Sequence, residues 1–153
     1  MITEKLRITQ LIIVLIIAGQ GLFYLLGAAE ALKGISTNAF AEQRKAIDTV
    51  IAGRLTVLYY ISILLGVAIL ITLRSNPASP VSILTLLATL LIGSDAFVAI
   101  KFNVPINNAF ENYPGLTNID WRALQLEWLK LIVIRGFISI TAFIILLLPW
   151  LKR

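Results

Sequence analysis

The chain has no cysteine and no histidine. Without cysteine there is no disulfide and no thiolate nucleophile, and without histidine there is no imidazole proton shuttle. Together the two absences remove the histidine- and cysteine-based zinc and haem sites and every Cys–His or Ser–His catalytic pair. Charge is scarce as well: 14% of the 153 residues are Asp, Glu, Lys or Arg, against about 25% in an ordinary soluble domain. What fills the chain is apolar, 59% of residues, with a mean hydropathy of +0.92. Such a chain cannot present a water-compatible surface, so the net charge of +5 does not make it a nucleic-acid-binding domain.

Four apolar runs are each long enough to cross a hydrocarbon core of about 30 Å, which takes about 20 helical residues. They cover about 8–26, 50–73, 80–102 and 129–148. Membrane-barrel strands would be about 10 residues long with strict alternation, and LIIVLIIAG or FIILLL show none. The expected fold is therefore all-α, a single integral-membrane four-helix bundle over residues 1–153. The first run has a basic front in Lys5 and Arg7 and a small-x-small triplet at Ala29–Ala31. It exceeds the roughly 7–15 residues of a signal-peptide core, so it reads as a true span.

Four spans place both termini and the middle loop on one face. That face carries Lys5, Arg7, Arg74, Lys152 and Arg153 against Glu4. The two longer loops balance Lys33, Arg44, Lys45, Lys101, Arg122 and Lys130 against Glu30, Glu42, Asp48, Glu111, Asp120 and Glu127. The basic residues of the first face lie in short segments flush with the membrane, which points to cytoplasmic N- and C-termini. Lys101, Trp150, Lys152 and Arg153 read as interface anchors.

Two helices outgrow the bilayer on the long-loop side. After Gly34–Asn38, a Ser, Thr or Asn N-cap opens a helix whose residues Phe40, Ile47, Ile51 and Arg54 share a face as it runs into the second span. From Ala39 to Leu73 it would be about 50 Å long. Thr117–Asp120 reads as a capping box, leading into a stripe of Trp121, Leu124, Trp128 and Leu131. Tyr113-Pro114-Gly115 before it suits a type II turn. The extensions form a small polar cap, and function is expected at that end, since Ser75–Pro80 is only a tight linker.

Ionisable groups at membrane depth are costly and are paired or line a cavity. Asp95 lies near the end of the third span, Arg135 near the start of the fourth and Arg54 just inside the second. Because neighbouring spans run antiparallel, Asp95 and Arg135 share a depth, with Glu30 not far above. The expected cluster is Glu30, Arg54, Asp95 and Arg135, whose neutrality suits burial. One reading is an ion-pair knot that sets helix register. The other is a site where Asp95 accepts a proton while Arg135 and Arg54 hold an anionic oxygen; Arg54 can equally snorkel to the interface. Gln20 between Gly19 and Gly21 suggests a helix–helix hydrogen bond, and Gly27 with Ala31 a packing pair. Trp121 and Trp128 read as an interface belt or as a stacking wall. Asn103, Asn107 and Asn108 around Pro105 mark either helix termination or polar groups at the bundle mouth.

Asn103-Val104-Pro105-Ile106-Asn107-Asn108-Ala109-Phe110, followed by Trp121, Trp128 and an Arg seven residues later, resembles the anthrone oxygenase-like family of small four-span membrane proteins. Gln43 and Ile47 resemble its Gln–Ile/Asn region; where the family often has Asn four residues after the second Trp, this chain has Ile132. The resemblance implies oxidation of an aromatic, lipophilic anthrone-like substrate by dioxygen with no cofactor. Asn107, Trp128 and Arg135 match the motif, with Asp95 and Arg135 as expected catalytic residues. Asn103, Asn107, Asn108, Trp121, Trp128, Arg54 and Glu30 are the expected substrate-binding set, with no metal. The alternative is a non-catalytic accessory or assembly subunit of a larger membrane complex, or a homo-oligomer. The lipid bilayer is a partner in either case.

Overall fold

The computed structural model describes residues 2–151, so the anchors expected at Lys152 and Arg153 lie outside the described residues. Four long helices follow one another: α1 (Ile2–Gly34), α2 (Thr37–Thr72), α3 (Pro80–Glu111) and α4 (Trp121–Leu151). Every one exceeds the span read from the sequence. Around the bundle they form a ring in chain order, each packed on its two neighbours, with α2 and α4 touching only slightly across the diagonal. Only 22–28% of the most apolar stretch of each helix is buried inside the protein. The remaining apolar surface faces outward, and lipid is the solvent that accepts it. The chain is a multi-pass membrane protein.

Between lipid-solvated helices, close approach of small residues replaces the hydrophobic drive. The tightest seam is α1 against α4, where a Cβ on Gly21 would lie 2.4 Å from the Gly136 Cα. Gln10 of α1 is buried and donates to Ser62 O of α2 (3.3 Å) and to Thr89 Oγ1 of α3 (3.4 Å), beside Gly66. The Gly27–Ala31 pair is not such a seam. Ala31 is exposed, and a Cβ on Gly27 would meet nothing within 4 Å. Gly27 instead has a φ of 141° inside a π-helical turn over Tyr24–Ala28, a conformation open to glycine and strained for other residues.

A second π-turn, Ala99–Asn103, carries α3 past its expected end at Phe102. Val104 N–H bonds to Ala99 O, and the helix continues through Val104–Glu111 with Pro105 in its first turn. There the missing proline N–H costs little. The Asn-rich stretch thus extends the helix rather than ending it.

Above the bundle the extensions of all four helices enclose an aromatic core. Phe40 and Phe110 are fully buried, stacked edge to face at 5.1 Å between centroids, with Trp121 5.6 Å from Phe110 and 5.1 Å from Tyr113. Buried Gln125 stitches the cap: its Nε2 donates to Leu32 O (2.8 Å) and its Oε1 accepts from the Thr37 hydroxyl (3.0 Å). Ser36 caps α2 by accepting from Ala39 N–H (3.2 Å), as the sequence suggests. On α4, Asp120 is not the acidic partner of a Thr117 cap but the cap itself, accepting from Ala123 N–H (2.9 Å). The Tyr113–Pro114 bond is cis, and Gly115 N–H closes the turn on Asn112 O at 2.7 Å, so the type II turn is not formed.

Candidate functional site

Antiparallel α3 and α4 bring Asp95 and Arg135 to one level, and the two side chains touch. Arg135 Nε donates to Asp95 Oδ1 at 2.7 Å. Tyr59 of α2 completes the group: its hydroxyl donates to Asp95 Oδ2 and accepts from Arg135 Nη2 (3.1 Å). Arg135 Nη1 reaches Asn103 Oδ1 at 3.5 Å. Asp95 is 1% exposed, so the carboxylate is held by charge-assisted bonds, the stronger kind in a low-dielectric interior. Three helices meet in this one network.

Beside it, α2 and α3 part to leave a groove of about 160 Å³ backed by α4. Tyr59, Arg135 and Asn103 form its inner polar end, while Ile47, Leu55, Ala99 and Ile132 make the walls apolar. Its rims, Ile51, Thr56 and Tyr60 on α2 with Ile100 and Val104 on α3, are exposed on the lipid-facing side, so the groove opens sideways. Nearer the cap it meets a second polar group. The Arg44 guanidinium lies 4.2 Å from the Trp128 ring centroid and pairs with Asp48. Trp128 Nε1 donates to Asn107 Oδ1 at 2.7 Å. Behind the triad a separate void of about 10 Å³ touches Asp95, Gln20 and Ser139, roughly the space one water needs.

Several expected site residues take other positions. Glu30 is exposed and paired with Lys33 (2.7 Å) rather than with a buried cation. The π-turn before it displaces its helix from the α-helical phase the sequence implies. Arg54 is exposed and lies outside both the triad and the groove lining. It lies between the groove-lining turns Ile51–Ala52 and Leu55–Thr56 yet points outward, in keeping with the snorkelling alternative. The expected cluster of four charges is therefore a pair plus a tyrosine. Asn103 and Asn107, four residues apart, share the inner face of α3, whereas Asn108 is rotated about 100° from Asn107 and is exposed. Trp121 belongs to the aromatic cap, neither an interface belt nor a groove wall, because the Asp120 cap starts α4 over Phe110. Trp128 is 3% exposed and lines the groove, so it is no belt residue either. Asp95 does not line the groove; Tyr59 and Arg135 stand between. Gln20 lines both the groove and the small void.

Tyr59 and Arg44 are the site residues that sequence reasoning missed. A tyrosine in mid-span, away from the interface where tyrosines gather, is the signal that could have found the first. Arg44 has no comparable mark, since it sits in a charged stretch that reads as a solvated face. Among the described residues no group of three or more acidic side chains gathers as a metal site. Comparisons with protein-family models, with curated proteins and with solved structures return no match.

Proposed function

We propose that the protein is a membrane oxygenase that takes a lipophilic aromatic substrate of the anthrone type from the bilayer and oxidises it with dioxygen, without a cofactor, its termini on the cytoplasmic side. One observation carries the reading: an apolar groove, open to lipid, ends on a buried Tyr59–Asp95–Arg135 triad. An anthrone methylene is acidic because the resulting enolate is delocalised. In the groove, Tyr59 Oη takes that proton while its own passes to Asp95 Oδ2, and Arg135 steadies the enolate oxygen. The electron-rich carbon adds dioxygen to give a hydroperoxide, which loses water to leave a carbonyl. The methylene loses two hydrogens and gains one oxygen atom, and the second oxygen atom leaves in the water. Exclusion of water by the apolar walls keeps the enolate reactive.

Reconstituted protein supplied with anthrone is the test, with the quinone followed by absorbance. Tyr59→Phe and Asp95→Asn should each lower the rate by about 10²–10⁴, the range of general acid–base catalysis, while the variants keep their helical content. Wild-type rates equal to those of empty vesicles across a panel of anthrones remove the proposal.

A further inference from the structure

Two buried donors on the groove have no partner. Asn103 is 2% exposed, and because Arg135 can only donate, Asn103 must turn Oδ1 toward it. That leaves Asn103 Nδ2 without an acceptor. Nearer the cap, Arg44 is 5% exposed; its Nη2 serves Asp48, and its Nε also lacks a partner. Unpaired buried donors are costly, so the molecule that fits here is one that brings acceptor oxygens and needs none in return.

Shape narrows the class further. Along α2 the lining runs from Arg44 to Ile63, roughly 28 Å at 1.5 Å per residue. Yet the groove holds only about 160 Å³. A cavity of about 150 Å³ takes one benzene ring, so this is a slot for a single flat ring with anything longer trailing along it. The exposed rim at Tyr60 and Ile100 lets such a tail run into the bilayer.

We propose that the groove binds a lipid-soluble quinone, one carbonyl-bearing ring on an apolar chain, which enters between α2 and α3 and accepts a hydrogen bond from Asn103 Nδ2. The site is shared with the reaction above, but binding does not require turnover. Acceptor-only carbonyls suit a donor-only lining, and Arg44 Nε supplies a further donor on the cap side.

Substituting Trp121→Phe and Trp150→Phe leaves Trp128 as the one tryptophan, inside the groove. In nanodiscs dosed with decyl-benzoquinone by mole fraction of lipid, Trp128 fluorescence should be quenched saturably. Asn103→Asp keeps the oxygen facing Arg135 and removes the donor; it should weaken binding about tenfold, the worth of one good hydrogen bond. Decylbenzene at the same mole fraction should not displace the quinone. Quenching that rises without saturation, or an affinity unchanged in Asn103→Asp, overturns the proposal. Should Asn103→Asp not fold, Val104→Trp on the exposed rim decides: saturation must vanish, and its survival sinks lateral entry. Anthrone turnover with no saturable quinone binding defeats this inference alone. Saturable binding with no turnover defeats the oxygenase reading alone.

Discussion

Replacing Asp95 by leucine isolates what the buried triad contributes to stability. The carboxylate receives Arg135 Nε at 2.7 Å and the Tyr59 hydroxyl, at 1% exposure. Its removal strands a guanidinium whose side chain is only 11% exposed. Breaking a buried pair from one side costs about 3–5 kcal/mol. By contrast, a neutral hydrogen bond between membrane helices averages about 0.6 kcal/mol. Asp95→Leu should therefore destabilise by about 3–5 kcal/mol, several times the effect of an ordinary interhelical contact. Removing the orphaned partner as well, in Asp95→Leu/Arg135→Met, should return stability to within about 1 kcal/mol of wild type or above it, as apolar replacement of buried ion pairs does elsewhere. Reversible unfolding in mixed micelles, run as a double-mutant cycle, measures both numbers. A single substitution costing under about 1 kcal/mol would refute the reasoning, because it would mean that Arg135 finds water or another partner at no expense.

Other expectations are as direct. Tyr59→Phe should cost about 1 kcal/mol in the same unfolding assay, because Asp95 keeps its stronger bond to Arg135. Gly21→Ala should lower stability more than Gly19→Ala, since the first Cβ meets the Gly136 backbone at 2.4 Å and the second meets nothing within 4 Å; equal melting temperatures would contradict the α1–α4 seam. Phe110→Ala empties the centre of the aromatic cap and should cost about 3–5 kcal/mol, with Trp121 fluorescence shifting red as its packing partner is lost.

The spans were legible because length and hydropathy depend on no contact, and the α2 cap because Ser36 precedes an uninterrupted helical pattern. Asp95 and Arg135 could be paired from depth alone once the helices were antiparallel. Rotation about each helix axis is what composition hides. Glu30 and Arg54 lie at plausible heights but on outward faces, and Asn108 misses the inner face by one residue. The π-turns could not be read either, since Tyr24–Ala28 and Ala99–Asn103 carry no signal beyond Gly27 and Pro105, which suit a helix end equally well. Tyr59 escaped because an aromatic residue within an apolar run looks like packing until a carboxylate is found opposite it. The catalytic part of the reading rests on chemistry that neither height nor rotation supplies.

The two wide turns also have a consequence for how the chain tolerates length changes. Each inserts one residue beyond regular helical winding, so deletion of a single residue within 99–103 would let the α-helix close up and swing everything beyond it by about 100°. Asn107 would then leave Trp128 and Phe110 would leave Phe40, while the membrane-embedded half kept its phase. A one-codon loss there would behave as a hinge-setting change, able to dismantle the roof and leave the stem inserted.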